Sequence, residues 1–159
     1  ESEQIQIELA RSLLDGWESC PCILASGEVD EQALDKYVEQ VRDLSTQTGR
    51  LDIAMYILGA KFAFAPTEDG IWPAPSVNEV IQSTPGEDML QGLNTAIRNQ
   101  RGVHTWTAGD EEMELATDFK EKAAKTDAKW PKVAATLRNV AQSYKDQAQR
   151  ASSVNPYSD

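Results

Sequence analysis

The stretch LDIAMYILGAKFAF, Leu51 to Phe64, decides the fold. At helical spacing Leu51, Met55, Leu58 and Phe62 fall on one line and Ile53, Ile57 and Phe64 on another, so apolar side chains cover nearly the whole circumference. A helix of that kind belongs at the centre of a bundle. Crossing a bilayer takes about 20 apolar residues. This run is shorter and is interrupted by Asp52 and Lys61, with Arg50 just before it, so no membrane association is expected.

On both sides of it lie further stretches of helical period. Leu34, Tyr37, Val38, Val41 and Leu44 share one face, with Asp35, Glu39, Gln40 and Asp43 opposite. Met89, Leu90, Leu93, Ala96 and Ile97 repeat the pattern, as do Val133, Leu137, Val140, Ala141, Tyr144 and Ala148. Near the start Ile5, Leu9, Leu13 and Trp17 line up in the same way. No stretch alternates as a strand would.

Punctuation sets the boundaries. Asp30 is placed to cap a helix that ends at Thr48, because Gly49 suits a left-handed C-terminal cap. The central helix is expected from Arg50 to Ala65, since Pro66 lacks the amide hydrogen and disfavours helix at the residue before it. Residues 66–75 read as a loop. Ser76 is read as the cap of a short helix to Gln82, and Thr84-Pro85-Gly86 as a break. A helix follows over about 87–100, then one capped by Asp110 as far as about Asp127. The last starts at Pro131, a residue suited to a first helical turn, and runs to about Ala151. With Ser2–Asp15 added, the expectation is an all-α, single-domain irregular bundle of six or seven helices around the helix at about 50–65. It covers residues 1–151 and leaves 152–159 as a disordered tail. A length of 159 residues suits one such core.

Charge narrows the partners. The net charge is −11, and eleven acidic against three basic residues lie between Glu1 and Gly49. That field repels phosphate backbones, so nucleic acid is not an expected partner. Lys120, Lys122, Lys125, Lys129 and Lys132 form the one basic run, read as a solvated helix face laced with pairs such as Glu121 with Lys125. Asp110, Glu111, Glu112 and Glu114 answer a helix macrodipole.

No catalytic motif of recognised spacing is present, so the chain reads as a non-enzyme. His104 is the only histidine and has no companion nucleophile. Cys20 and Cys22 flank Pro21, too close for an unstrained disulfide and too few for a zinc site. They are read as two half-buried thiols in a turn, with no metal and no cofactor. With no apolar leader, the expected location is the cytoplasm. The chain opens on Glu1 and not on Met, which reads as a piece of something longer.

The unusual residues gather in loops: Trp72-Pro73, Arg98 to Val103, and Trp130-Pro131. Each of these tryptophans adjoins a proline and is suited to plug the end of a bundle while its indole N–H reaches a loop carbonyl. Arg98 and Arg101 fall where guanidinium groups can meet the orphan carbonyls of a helix end. The rival arrangement is a groove in which Arg50, Arg98, Arg101, His104, Trp72 and Trp130 hold a small anion or nucleotide.

Gly49-Arg50-Leu51-Asp52-Ile53-Ala54, then Ala65-Pro66, Asp69-Gly70 and Trp72-Pro73, then Asn99 with Arg101-Gly102-Val103, then Trp130-Pro131, Leu137-Arg138 and Ser143-Tyr144 form an ordered series. It resembles a helical domain of uncharacterised bacterial proteins, often at the C-terminal end of longer chains, over about Leu13 to Arg150. The resemblance implies a bacterial accessory module and no known activity. Cys20-Pro21-Cys22 falls outside the pattern. The functional expectation is therefore a non-catalytic protein-interaction or assembly module, whose partner is another protein or the rest of a longer chain. The alternative is a regulatory domain that binds a small anionic ligand or nucleotide at the Trp72, Arg98 and Arg101 loops.

Overall fold

The computed structural model describes residues 17–100 and 109–153. Six helices run through them: α1 (Glu31–Gln47), α2 (Leu51–Phe62), α3 (Pro75–Ser83), α4 (Asp88–Gln100), α5 (Asp110–Thr126) and α6 (Pro131–Ser153). Among the described residues only two isolated bridges, Ile23 with Val29 and Glu68 with Ile71, have β character. The all-α bundle expected from the sequence is the observed architecture. The helix expected over Ser2–Asp15, and residues 154–159 of the expected tail, lie outside the described residues. Ser152 and Ser153, assigned to that tail, form the last turn of α6.

Two pairings, α5 with α6 and α2 with α4, carry most of the packing, and α3 and α4 both lean on α6. The core lies where these pairs meet, with Phe62, Ile81, Met89, Leu93, Leu137 and Val140 removed from water. Closing α2 onto α4 requires two glycines. A Cβ on Gly59 would stand within 2.9 Å of the Met89 Cα and closer still to the Met89 carbonyl. On Gly92 it would meet the carbonyl of Tyr56 and come within 3.0 Å of the Ala60 nitrogen. The helices touch backbone to backbone.

Helix ends follow the expected chemistry with instructive exceptions. Asp30 caps α1 through its carboxylate, which accepts from the Ala33 amide at 3.0 Å. Gly49 has φ +65°, and Arg50 N–H donates to the Ser45 carbonyl, which closes that end. α2 stops at Phe62, three residues short of expectation. There the amides of Ala63, Phe64 and Ala65 switch to the carbonyls of Ala60, Lys61 and Phe62, a tightened final turn that Pro66 then ends. Ser76 does not cap α3. Pro75 takes the first position, where its fixed φ suits the helix, and the Ser76 hydroxyl is buried without a hydrogen bond. Likewise Gly109, at φ +102°, precedes α5, and Asp110 is its first helical residue.

The loop from 63 to 74 carries a tight turn at Glu68–Ile71. Asp69 and Gly70 both have positive φ, and Glu68 and Ile71 exchange N–H···O bonds of 3.0 and 2.8 Å. The Glu68 carboxylate reaches back to accept from the Val29 amide at 2.8 Å, tying this loop to the turn before α1.

α2 differs from a helix packed on every side. Met55, Leu58, Gly59 and Phe62 are buried, but Ile53 is 52% exposed and Leu51 and Tyr56 face water in part. The line through Ile53, Ile57 and Phe64 is an edge open to water at Ile53 and half-buried at Ile57 and Phe64.

Candidate functional site

The first candidate is the Trp72 loop against α5. The indole N–H of Trp72 donates to the Ala65 carbonyl at 2.9 Å, the plug expected from the sequence. Its ring meets Phe119 edge to face at 6.0 Å, and Phe119 stacks on Tyr144 at 5.8 Å. The Lys122 ammonium lies 4.9 Å from the centroids of both Trp72 and Phe119 and pairs with Asp118 at 2.7 Å. Gln100, at the end of α4, donates to the Ala63 carbonyl, so the turn after α2 is held from both sides.

Trp130 is buried at the start of α6. Its indole N–H donates to the Glu79 carboxylate of α3 at 2.9 Å and not to a loop carbonyl, and Lys129 covers its ring at 4.6 Å. Its location, between α3 and α6, makes it a joint of the bundle.

Arg50 does not converge with the Trp72 cluster. Arg50 is exposed before the first residue of α2, and Ala65 follows its last turn, so the two are separated by the length of a 12-residue helix, about 18 Å. Arg98 is exposed on α4 and donates from Nε to Asn94 at 3.0 Å. Arg101 and His104 lie outside the described residues. The groove reading of Trp72, Arg98 and Arg101 therefore has Trp72 committed to Ala65, Phe119 and Lys122, and Arg98 turned along its own helix.

The basic run is dispersed. Lys122 serves the Trp72 cluster, Lys129 covers Trp130, and Lys132 donates to the Thr84 carbonyl at 3.2 Å. Asp118 pairs with Lys122 and, across the α5–α6 turn, Asp127 pairs with Arg138 at 2.9 Å.

Cys20 is buried and Cys22 half-buried, and both are free thiols. Burial, then the neighbouring Cys22 and Glu68, push the Cys20 thiol up to about 12 from 9.0. Burial and Asp30 also raise Cys22, and burial and Cys22 raise Tyr37. A raised thiol keeps its proton, so Cys20 is a poor nucleophile and a poor metal ligand. Among the described residues no group of three or more His, Cys, Asp or Glu is placed to hold a metal.

Iodoacetamide at pH 8 is expected to label Cys22 first. Three pH units between 9.0 and about 12 leave Cys20 about a thousandfold poorer in thiolate than an ordinary cysteine. Mass spectrometry should show one label on the native chain and two after unfolding; equal labelling rates would contradict the burial of Cys20. The unfolded chain loses this proton near pH 9 and the folded chain only near 12. The contribution of Cys20 to stability is thus intact below pH 9 and erodes as pH rises from 9 to 12.

The second candidate is an apolar groove between α1 and α2. Trp17, Tyr37, Val41, Ala54, Ile57 and Lys61 line a cavity of about 190 Å³. On the other flank of α2, Tyr56, Ala60, Phe64, Gly92, Ala96 and Gln100 border a second groove of about 300 Å³ against α4. Sequence reasoning missed this surface because it placed α2 in the interior. No sequence signal marked it: Leu44, read as part of the buried face of α1, is 64% exposed at the end of that stripe.

No helix among the described residues is long and apolar enough to cross a membrane. Compared with known families, with curated proteins and with solved structures, the chain finds no match.

Proposed function

We propose that the chain is a non-catalytic protein-interaction or assembly module, an accessory domain of a larger bacterial protein in the cytoplasm. The observation that carries the reading is the open edge of α2, where Ile53 and Tyr56 lead into the α2–α4 groove. A contiguous apolar edge on a water-facing helix is a feature of protein contacts. The acidic first third of the chain fits a partner that brings an apolar segment flanked by basic residues. The bacterial setting and the accessory role rest on the ordered series from Gly49 to Tyr144.

The test compares the chain with Ile53→Asp, a change at an exposed position that leaves the fold intact. Proteins that co-purify with the first and are lost with the second support the reading, provided the two melt within about 2 °C of each other, the scale of a surface change. Identical partner sets overturn it. So does a thermal shift of several degrees with inorganic phosphate or nucleotides, because a ligand at 100 times its Kd stabilises by about 2.7 kcal/mol.

A further inference from the structure

α5 carries two flanks of opposite charge. Met113, Thr117 and Ala124 form a line along its exposed side, with Glu114 and Glu121 turned to one side of that line and Lys120 to the other. On the basic side lies a hollow of about 390 Å³ between α5 and α6, with Ala116 and Ala141 as its floor and Lys120, Arg138 and Lys145 around it, and no carboxylate among the described residues that line it. In a chain of net charge −11 that is a local reversal of the field. The acidic side is a shallower hollow bordered by Asp110, Glu114, Asp118 and Glu121. Met113 and Thr117 border both hollows and form the ridge between them.

Opposite charges are also level with one another along the helix. α5 and α6 run antiparallel: Asp127 pairs with Arg138 near their turn, and a Cβ on Gly109 would meet the Ala148 backbone at the other end. That register sets Lys145 level with the first turn of α5, close to Glu114, while Lys120 adjoins Glu121 in sequence. A twofold axis laid along α5 therefore brings the acidic flank of one copy over the basic hollow of the other, Glu114 to Lys145 and Glu121 to Lys120, with each contact made twice. Met113, which is 44% exposed, and the exposed Thr117 and Ala124 then meet their own counterparts along the axis. An axis across the helix would set acid against acid. Arg138 and Asp118 are engaged with Asp127 and Lys122, so Lys120, Lys145, Glu114 and Glu121 carry the recognition.

We propose that this face of α5 and α6 is a self-association surface whose occupant is a second copy of this chain, docked with the two α5 helices parallel and packed along Met113, Thr117 and Ala124. The surface shares no residue with the α2 edge. The inference therefore survives failure of the partner reading above, and the partner reading survives its failure.

Sedimentation equilibrium on the full chain tests it at about 0.15 M salt, where a Debye length of about 8 Å screens the diffuse repulsion between two acidic chains but not pairs in contact. The variants are Lys120→Glu/Lys145→Glu and Glu114→Lys/Glu121→Lys, all at exposed positions. The unmodified chain should dimerise with a Kd below about 1 mM. Either variant alone should weaken dimerisation by at least about tenfold, since every pair across the axis becomes like-charged. The second variant should do so although it lowers the net negative charge, so general repulsion cannot account for the loss. An equimolar mixture of the two variants should dimerise to within about threefold of the unmodified chain, because all pairs are then opposite again; that recovery also shows that both variants fold. An unmodified chain that stays monomeric up to about 1 mM overturns the proposal. So does a dimer that either variant leaves intact, which sits on another face, and so does a mixture that fails to recover.

Discussion

Gly92→Ala and Gly59→Ala should each cost about 3 kcal/mol or more, at the top of the range for overpacking, because no side-chain movement can relieve the clash. The added methyl group meets main chain in both cases. On Gly92 it meets the Tyr56 carbonyl and lies 2.8 Å from that carbonyl's carbon; on Gly59 it meets the Met89 carbonyl, with the carbon at 2.7 Å. Relief requires α2 and α4 to separate. Since α4 also leans on α6, that separation disturbs the core around Leu93 and Ile97. Gly27→Ala is the control. Its φ is +90° but nothing lies within 4 Å of the new methyl group, so only the left-handed backbone penalty of about 1–2 kcal/mol applies. Urea unfolding of the three variants checks the order. A helix glycine variant no less stable than Gly27→Ala would mean that α2 and α4 do not touch as described.

These two glycines also mark the limit of what the sequence discloses. Periodicity found α1, α4, α5 and α6 within a residue or two, because a stripe at helical spacing has few other uses. It failed on α2, where apolar residues all round were read as burial all round. The missing information was Gly59, an unbranched position in mid-helix whose purpose is close approach. Ile53 nevertheless stays 52% exposed. The bond from Trp72 to a loop carbonyl was legible, since donor and acceptor lie seven residues apart in one loop. The Trp130 bond was not: its acceptor Glu79 is 51 residues away, on a helix whose exposed carboxylate carries no local sign of being used. Arg50, Arg98 and Arg101 looked alike in the sequence. Only the length of α2 sets Arg50 apart from the Trp72 loop.

Phe119→Ala should cost about 3–5 kcal/mol, the range for a large buried aromatic side chain. Phe119 connects three parts of the bundle: Trp72 from the loop after α2 packs on its edge, Tyr144 of α6 stacks on one face, and Lys122 lies over the ring. Losing the ring opens a void and also removes two aromatic contacts worth about 0.5–1.5 kcal/mol each beyond area burial. Phe119→Leu refills most of the volume without the ring geometry and should recover more than half of the loss. Lys122→Met should cost under about 1 kcal/mol, since the cation is partly solvated and its Asp118 pair is at the surface. Denaturation midpoints read these differences, and near-ultraviolet circular dichroism should lose the Trp72 band in Phe119→Ala alone. The ordering also decides what the cluster is for. If Phe119→Ala is well tolerated and Lys122→Met is the costly change, the aromatic groups are not a structural joint, and the ammonium over two rings is the feature under selection.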